Sequence, residues 1–208
     1  LLDTQYRMNE EIMRFSSSWF YDGKVKAAPI TAHRGILDYD TPIEWVDDVA
    51  NDDETVGETF VGETFGRINK VEARQVMELL QAYFEKIGKQ RIIDESIDVG
   101  IISPYRAQVQ YLRHLIKKEA FFKPFRHLLS VNTVDGFQGQ ERDVIIVSLV
   151  RSNNDGQIGF LRDLRRMNVA MTRARSKLII IGDHETLAHH EFYKKLYEYI
   201  KKHKTDNF

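Results

Sequence analysis

Three runs of apolar residues limit the folds open to this chain, and they lie at residues 99–103, 144–150 and 177–182. They are rich in β-branched residues and lack the alternation that marks a strand with one wet face. Runs of this kind are typical of strands buried on both faces of a parallel sheet. Helical spacing of apolar residues occurs between and after them, at residues 69–88, 106–118 and 185–201. The sequence therefore predicts an α/β fold, a parallel sheet with helices on both faces.

Two asparagines are placed to begin helices. Asn9 precedes an apolar stripe that stops near Asp22–Gly23. Asn69 precedes a longer helix that Gly88 ends, and Glu72 stands where its side chain would reach back to the cap, a variant of the capping box.

Composition narrows the class of protein. The 208 residues include 42% hydrophobic residues and no cysteine, which suits one globular domain without disulfides or thiolate metal sites. The net charge of −1 gives no support for nucleic-acid binding through bulk charge, so any basic surface must be local. No apolar run approaches the roughly 18 residues needed to span a membrane, and a cytoplasmic, intracellular location is expected.

Residues 47–67 differ in character from the rest of the chain. Several acidic residues precede a direct repeat, Val56-Gly-Glu-Thr-Phe60 and Val61-Gly-Glu-Thr-Phe65. The acidic residues lack the ligand spacing of a calcium loop, so no metal site is expected. We predict an insertion that is weakly ordered or forms a hairpin from the two repeats.

A polar turn follows the strand pattern near Val131. Gly136 and Gly139 allow unusual backbone angles and close approach of a ligand. Gln138 and Glu141 can hydrogen-bond a sugar or a water, and we expect them at the carboxyl end of a strand, where α/β sheets bind ligands. A solvated connection with glycines for turning is the alternative.

Arginines recur in the segment from Met167 to Lys177, which we predict to be helical. An arginine suits a phosphate because its planar fork stays charged and donates in pairs. We predict this role for Arg173, and surface ion pairs with Asp163 or Asp183 for Arg166 and Arg175.

Two further segments have residue types suited to a nucleotide or a phosphate. Gln5-Tyr6-Arg7 presents an amide, an aromatic face and a guanidinium, although a buried Tyr6 capped by Arg7 is an equal alternative. Ser103 to Gln108 marks the passage from a strand to a helix, where free amide groups attract phosphate.

The pair His189–His190 is interpreted as helix surface rather than a metal site, because adjacent residues on a helix point in different directions.

Four motifs together resemble one family. They are Gln5-Tyr6-Arg7-Met8, Gly100-Ile-Ile-Ser-Pro-Tyr105, Thr133-Val-Asp-Gly-Phe-Gln-Gly-Gln-Glu141 and Asn168-Val-Ala-Met-Thr-Arg-Ala-Arg175. In this order they resemble the second RecA-like domain of superfamily 1 helicases, in the branch of Senataxin and the nonsense-mediated-decay RNA helicase. The resemblance implies a P-loop NTPase-type second domain over residues 1–208, as a fragment of a longer chain.

The resemblance also implies roles for individual residues. Tyr6 would stack on adenine beside Gln5, while Gln138 and Gly139 would border the γ-phosphate and Glu141 would hold the ribose. Catalytic roles fall to Arg7, which would reach the γ-phosphate, and to Arg173 as the arginine finger. A single nucleic-acid strand would touch a second group, Ser103, Pro104, Tyr105, Thr133 and Asn168.

The chain departs from a complete motor in one respect. It has no Gly-x-x-x-x-Gly-Lys-Ser/Thr loop and no apolar strand ending in Asp-Glu. The resemblance implies ATP with Mg²⁺ as the cofactor. Because this chain lacks the two motifs, the metal is expected to be held by a missing N-terminal RecA-like domain, and the isolated chain is expected to be inactive. The partners implied are that domain and single-stranded DNA or RNA, with 5′-to-3′ travel. The alternatives are an inert nucleic-acid-binding or scaffold module with a helicase fold, and a nucleotide-binding module whose substrate is not nucleic acid.

Overall fold

The computed structural model describes residues 3–48, 57–62, 66–137 and 139–205. Five parallel strands form its central sheet, and they are β3 Ile43–Val46, β6 Val99–Ile102, β7 Leu129–Asn132, β8 Arg142–Ser148 and β9 Ala174–Ile181. Their order across the sheet is β3-β9-β8-β6-β7. The three predicted strands are therefore confirmed, and they are the three central strands of the sheet.

Helices cover both faces of this sheet. The bounds are α1 Glu10–Phe20, α2 Pro29–Ala32, α3 Lys70–Ile87, α4 Lys89–Asp94, α5 Arg106–Lys118, α6 Leu164–Met171, α7 His184–Leu187 and α8 Glu191–Thr205. One core packs α1, α6 and α8 against the sheet, and a second packs α3 and α5 against the other face. The predicted α/β class, with a parallel sheet and helices on both faces, is confirmed. No described helix has the length and apolar character needed to cross a membrane.

Two small two-stranded sheets lie outside the main sheet, the first parallel and the second antiparallel. Strand β1 Thr4–Gln5 pairs with β2 Lys26–Ala27. Strand β4 Thr59–Val61 forms an antiparallel hairpin with β5 Gly66–Ile68. A hairpin is thus present within the predicted insertion, but β5 follows the second repeat, so the pairing is not one repeat against the other. The acidic residues at 52–54 lie outside the described residues.

Both predicted asparagine caps are confirmed. Asn9 Oδ1 accepts a hydrogen bond from the Glu11 amide at 2.8 Å, and Asn69 Oδ1 accepts from the Glu72 amide at 3.0 Å. The Glu72 side chain does not reach back to the cap, so the predicted capping box is wrong. It turns instead into the core, where it accepts hydrogen bonds from the end of β8.

Two predicted helices have different bounds. The segment from Met167 to Lys177 is not one helix, because α6 ends at Met171 and the chain enters β9 at Ala174. Residues 174–181 are instead buried between β3 and β8, and tertiary pairing outweighs the local helical spacing. The last predicted helix is broken between α7 and α8, so His189 and His190 lie at the break rather than on a helix surface.

Candidate functional site

The predicted arginine and glutamate residues meet at the amino edge of the sheet. Glu141 directly precedes β8 and Arg173 directly precedes β9, and the Arg142 amide donates to the Arg173 carbonyl at 3.0 Å. The prediction that Glu141 lies at the carboxyl end of a strand is therefore wrong. The turn leaves the carboxyl end of β7 and returns across the sheet to the amino end of β8.

A glycine in β6 makes this return path available. The ring of Phe137, in the 3-10 turn Asp135–Phe137, lies over Gly100, where an added Cβ would be 2.9 Å from the ring and 2.8 Å from Ile145 Cδ1. Phe137 is itself buried. Residues 133–137 are therefore packed against the sheet, between the carboxyl end of β7 and the turn that leads to β8.

The two glycines of the turn serve different needs. Gly139 has a φ of +76°, which favours glycine, and an added Cβ there would meet open space. Gly136 has no such φ, but its Cβ would lie 2.1 Å from the Asn132 side chain. Gln138, predicted to border a phosphate, lies outside the described residues.

Gln5 shapes the turn that presents its two neighbours. Its Oε1 accepts from the amides of Arg7 and Met8, both at 2.8 Å, and its Nε2 donates to the Met8 carbonyl at 3.0 Å. Tyr6 consequently projects into solvent with 69% of its surface exposed, which excludes a buried Tyr6 capped by Arg7. Arg7 instead donates to the Thr172 carbonyl at 3.2 Å, and its Nε contacts the Glu141 carboxylate.

Arg173 lies beside Arg7 and has spare donors. Among the described residues its guanidinium forms no ion pair, and the one hydrogen bond of that group is a 3.5 Å contact to the Gln140 carbonyl. Its Nε is buried without a hydrogen-bond partner. Burial and then the positive charge of Arg7 lower the pKa of Arg173, which the Glu141 carboxylate partly opposes. An arginine remains charged at neutral pH despite such a shift, so the pair forms a cationic site with unused hydrogen-bonding capacity.

The other two arginines are engaged by carboxylates. Arg166 contacts Asp163 at 3.5 Å, as predicted, and Asp135 at 3.3 Å. Arg175 is also ion-paired, but its partners are Asp98 and Asp143, both at 3.1 Å, rather than Asp163 or Asp183.

Four of the five predicted strand-binding residues lie away from the arginine pair. Asn168 is nearer to it, because its carbonyl accepts from the Thr172 amide at 3.0 Å and the Thr172 carbonyl accepts from Arg7. Ser103 and Pro104 follow β6 and Thr133 follows β7, so all three stand at the carboxyl edge of the sheet. Ser103 and Tyr105 are buried, whereas Pro104 and Thr133 are partly exposed. Asn168 is on α6, where its amide donates to the Tyr21 hydroxyl at 3.2 Å.

Sequence reasoning missed a buried polar network at the same edge. Both carboxylate oxygens of Glu72 accept from the Val150 amide, at 2.9 and 2.8 Å, and one also accepts from the Ser148 hydroxyl at 2.6 Å. Val150 has a φ of +71°, which is strained for a β-branched residue. Burial raises the pKa of Glu72 well above its ordinary value. The serine within the apolar run of β8 was the available signal.

A second buried contact extends the network to the hairpin. The guanidinium of Arg151 is 4% exposed, forms an ion pair with Glu58 and donates to the Tyr105 hydroxyl at 3.4 Å. Glu58 also binds Arg67 of β5 at 2.5 Å. Tyr105 is therefore held between the sheet edge and the hairpin.

No group of three or more His, Asp or Glu side chains in the described part of the chain is placed to hold a metal ion. The cationic pair at the amino edge and the strand ends at the carboxyl edge are thus the two candidate sites. The fold is similar to the C-terminal domain of a possible DNA helicase from Lactobacillus plantarum, with a TM-score of 0.50 and 14% identity, over 86% of this chain and 88% of that one.

Comparison with known sequences identifies the family. A family model described as "AAA domain" matches residues 1–185. The chain is 39% identical over 202 residues to the DNA polymerase alpha-associated DNA helicase A of Saccharomyces cerevisiae, and 36% identical over 207 residues to helicase SEN1 of the same yeast. The chain belongs to this AAA-domain family of superfamily 1 helicases, in the branch of Senataxin and the nonsense-mediated-decay helicase.

The match covers most of this chain and a small part of each relative. It includes 89% of this chain and 28% of the first helicase, and 97% of this chain and 9% of the second. The chain therefore corresponds to one portion of these longer proteins.

Proposed function

We propose that this chain is the C-terminal motor domain of an ATP-dependent superfamily 1 helicase. The observation that carries the proposal is the convergence of Arg7 and Arg173 at the amino edge of the sheet, with Arg173 forming no ion pair among the described residues. Phosphoryl transfer depends on positioned positive charge far more than on covalent chemistry. An arginine with spare donors beside a second arginine fits a polyphosphate.

The residues present fit a nucleotide at this edge. The exposed ring of Tyr6 offers a face for adenine, and the turn built by Gln5 holds that ring next to Arg7. The open backbone at Gly139 allows close approach of a phosphate, with Gln138 beside it. Glu141 holds Arg7 in place and would accept from a ribose hydroxyl with its remaining lone pairs.

The metal and the attacking water belong to a second domain. Mg²⁺ supplies charge neutralisation between the phosphates when it is bound, and its ligands together with the phosphate-binding lysine are assigned to an N-terminal RecA-like domain of the same polypeptide. The contribution of this chain is to donate hydrogen bonds from Arg7 and Arg173 to the phosphate oxygens across the cleft. Cleft closure would bring both arginines into register and exclude water.

Single-stranded nucleic acid is assigned to the carboxyl edge. Pro104 and Thr133 are partly exposed there, while Ser103 and Tyr105 support the loop from beneath. Asn168 on α6 is the fifth residue of the proposed groove. Contacts of this kind accept DNA or RNA, because the backbone and the base faces are common to both. The packed residues 133–137 offer a path by which the nucleotide state would reach the nucleic-acid strand.

Substitution of the finger tests the proposal. In the natural polypeptide that contains this chain, Arg173→Ala should lower the rate constant of strand-stimulated ATP hydrolysis by about three orders of magnitude or more, with little change in strand affinity. Steady-state ATPase assays and oligonucleotide titrations measure the two quantities. Arg91→Ala is the control, since Arg91 is a surface residue of α4 that pairs with Glu95.

The opposite results would decide between the alternatives. Unchanged turnover in Arg173→Ala would refute the finger assignment. A natural polypeptide that binds single strands but never hydrolyses ATP would identify an inert binding or scaffold module. ATP hydrolysis that no DNA or RNA strand stimulates would point to another substrate.

A further inference from the structure

One aromatic side chain at the carboxyl edge is exposed without an evident structural role. Phe160 lies in the 3-10 turn Gly159–Arg162, and 66% of its surface is in contact with solvent. One side of its ring lies against Tyr105, with ring centroids 5.3 Å apart and an interplanar angle of 33°. The turn thus exposes a large apolar face to water. This exposure is unfavourable in free energy unless a ligand covers the face.

The position of this ring is determined by the buried contacts beneath it. Gly159 has a φ of +53°, and an added Cβ would be 2.1 Å from Nη1 of Arg151 and 2.8 Å from the Tyr105 hydroxyl. Only glycine lets the turn lie directly on this pair. The ion pair of Arg151 with Glu58 and its hydrogen bond to Tyr105 hold the support in place. Phe160 is therefore a preorganised platform rather than a loose surface side chain.

A shallow recess opens beside the platform. Its volume is about 40 Å³, and its lining includes Pro104, Thr133, Phe160, Leu161, Met167 and Tyr193. Its floor is largely apolar, and Asp135 and Arg166 stand among its polar lining residues. The recess is too small to enclose a planar ring, so a ring bound here would lie over its mouth and against Phe160.

Positive charge surrounds the same turn. Arg162, Arg165 and Arg166 are all exposed within five residues of sequence, against the single acidic residue Asp163. Arg166 is ion-paired, whereas Arg162 and Arg165 form no ion pair with any residue that the structure describes. Unpaired guanidinium groups next to an exposed aromatic face are the combination that binds a base and its phosphate.

We propose that Phe160 is a base-stacking platform for single-stranded nucleic acid. A nucleobase stacks on the outer face of the ring, at the mouth of the recess beside Pro104 and Thr133, while Arg162 and Arg165 attract the adjoining phosphates. The inference rests on the proposed function, because it names a base site within the proposed strand-binding edge. The local excess of cations favours a nucleic acid over an apolar protein segment as the occupant.

The test uses the natural polypeptide and an oligonucleotide that carries 2-aminopurine, whose fluorescence is quenched by stacking. Phe160→Ala should weaken strand binding roughly 5- to 150-fold, the range expected for one lost base–aromatic stack, and should relieve the quenching at one position along the strand. Phe160→Trp keeps an aromatic face and should retain both affinity and quenching. Arg162→Ala and Arg165→Ala should each reduce the salt dependence of binding by about one unit of slope.

The outcomes separate this inference from the proposed function. A wild-type protein that binds no single strand would overturn both. A wild-type protein that binds tightly, with Phe160→Ala equal to it in affinity and in 2-aminopurine quenching, would overturn the platform alone and would leave an apolar protein segment as the occupant. Circular dichroism of Phe160→Ala should match wild type because the ring is mostly exposed, so lost binding cannot be ascribed to unfolding.

Discussion

Residues of the same type take different roles here according to the charges around them. Arg173 and Arg175 are two positions apart, yet Arg175 lies between Asp98 and Asp143 while Arg173 has only a carbonyl contact among the described residues. The difference arises because Asp98 precedes β6 and Asp143 is the second residue of β8, so their carboxylates face Arg175 near the start of β9. The free guanidinium is the one beside Arg7, and this contrast is the reason to assign the finger to Arg173.

Glu72 leads to a prediction about pH. Its pKa is raised in the folded chain by burial, so the folded state binds the proton more tightly than the unfolded state does. Its contribution to stability is therefore fully present below its ordinary pKa of 4.5 and is lost as pH rises toward the folded pKa. We expect the free energy of unfolding of wild type, relative to Glu72→Gln, to fall as pH rises above the ordinary pKa of 4.5.

Urea denaturation of both proteins across this pH range measures the difference. Glu72→Gln keeps the shape and one acceptor oxygen but does not titrate, so it is the matched control. A difference that stays flat with pH, or that grows as pH rises, would contradict the raised pKa.

At the scale of elements, the close approach of Phe137 to Gly100 decides where the polar turn after β7 lies. Gly100 is in the middle of β6, and the Phe137 ring occupies the space that a side chain would fill. The strand pattern of residues 99–103 is confirmed, but the pattern contains no sign that a turn from a distant part of the chain crosses it. Packing between non-local segments is what brings Glu141 to the amino edge.

Gly100→Ala is expected to destabilise the protein by roughly 1–3 kcal/mol, because the new methyl group would overlap Phe137 and Ile145 in a close-packed core. Chemical denaturation measures the loss. Gly35→Ala is the control: its nearest contact would be 3.9 Å away, so its effect should stay within about 0.5 kcal/mol. Equal stability of Gly100→Ala and wild type would show that the turn does not depend on this contact.

At the scale of the whole molecule, the two candidate sites occupy opposite edges of one sheet. The arginine pair lies at the amino edge, and Phe160, Pro104 and Thr133 lie at the carboxyl edge. At the amino edge the Arg7 side chain is 37% exposed and Tyr6 is 69% exposed, so both are accessible to a ligand held from the other side. This arrangement is why the proposal assigns ATP to a cleft shared with a second domain.

The isolated 208-residue chain should therefore neither hydrolyse ATP nor be stabilised by it. Addition of ATP with Mg²⁺ should leave its thermal unfolding midpoint unchanged, while the natural polypeptide should show a higher midpoint, since a ligand stabilises only a state that binds it. Calorimetry or dye-based melting measures both. A clear upward shift for the isolated chain would mean that this domain binds the nucleotide alone.

Local residue patterns were enough to predict the sheet, the asparagine caps and the residues of the arginine pair. Each of these follows from interactions within a few positions along the chain: β-branched runs, a side chain that accepts from a nearby amide, and charge that a given residue type always carries. The unpaired state of Arg173, the inward turn of Glu72, the left-handed Val150 and the support beneath Phe160 were decided by tertiary structure. These features depend on residues tens of positions apart that come into contact only when the parallel strands pair. A local pattern does not show which distant side chain will make the contact.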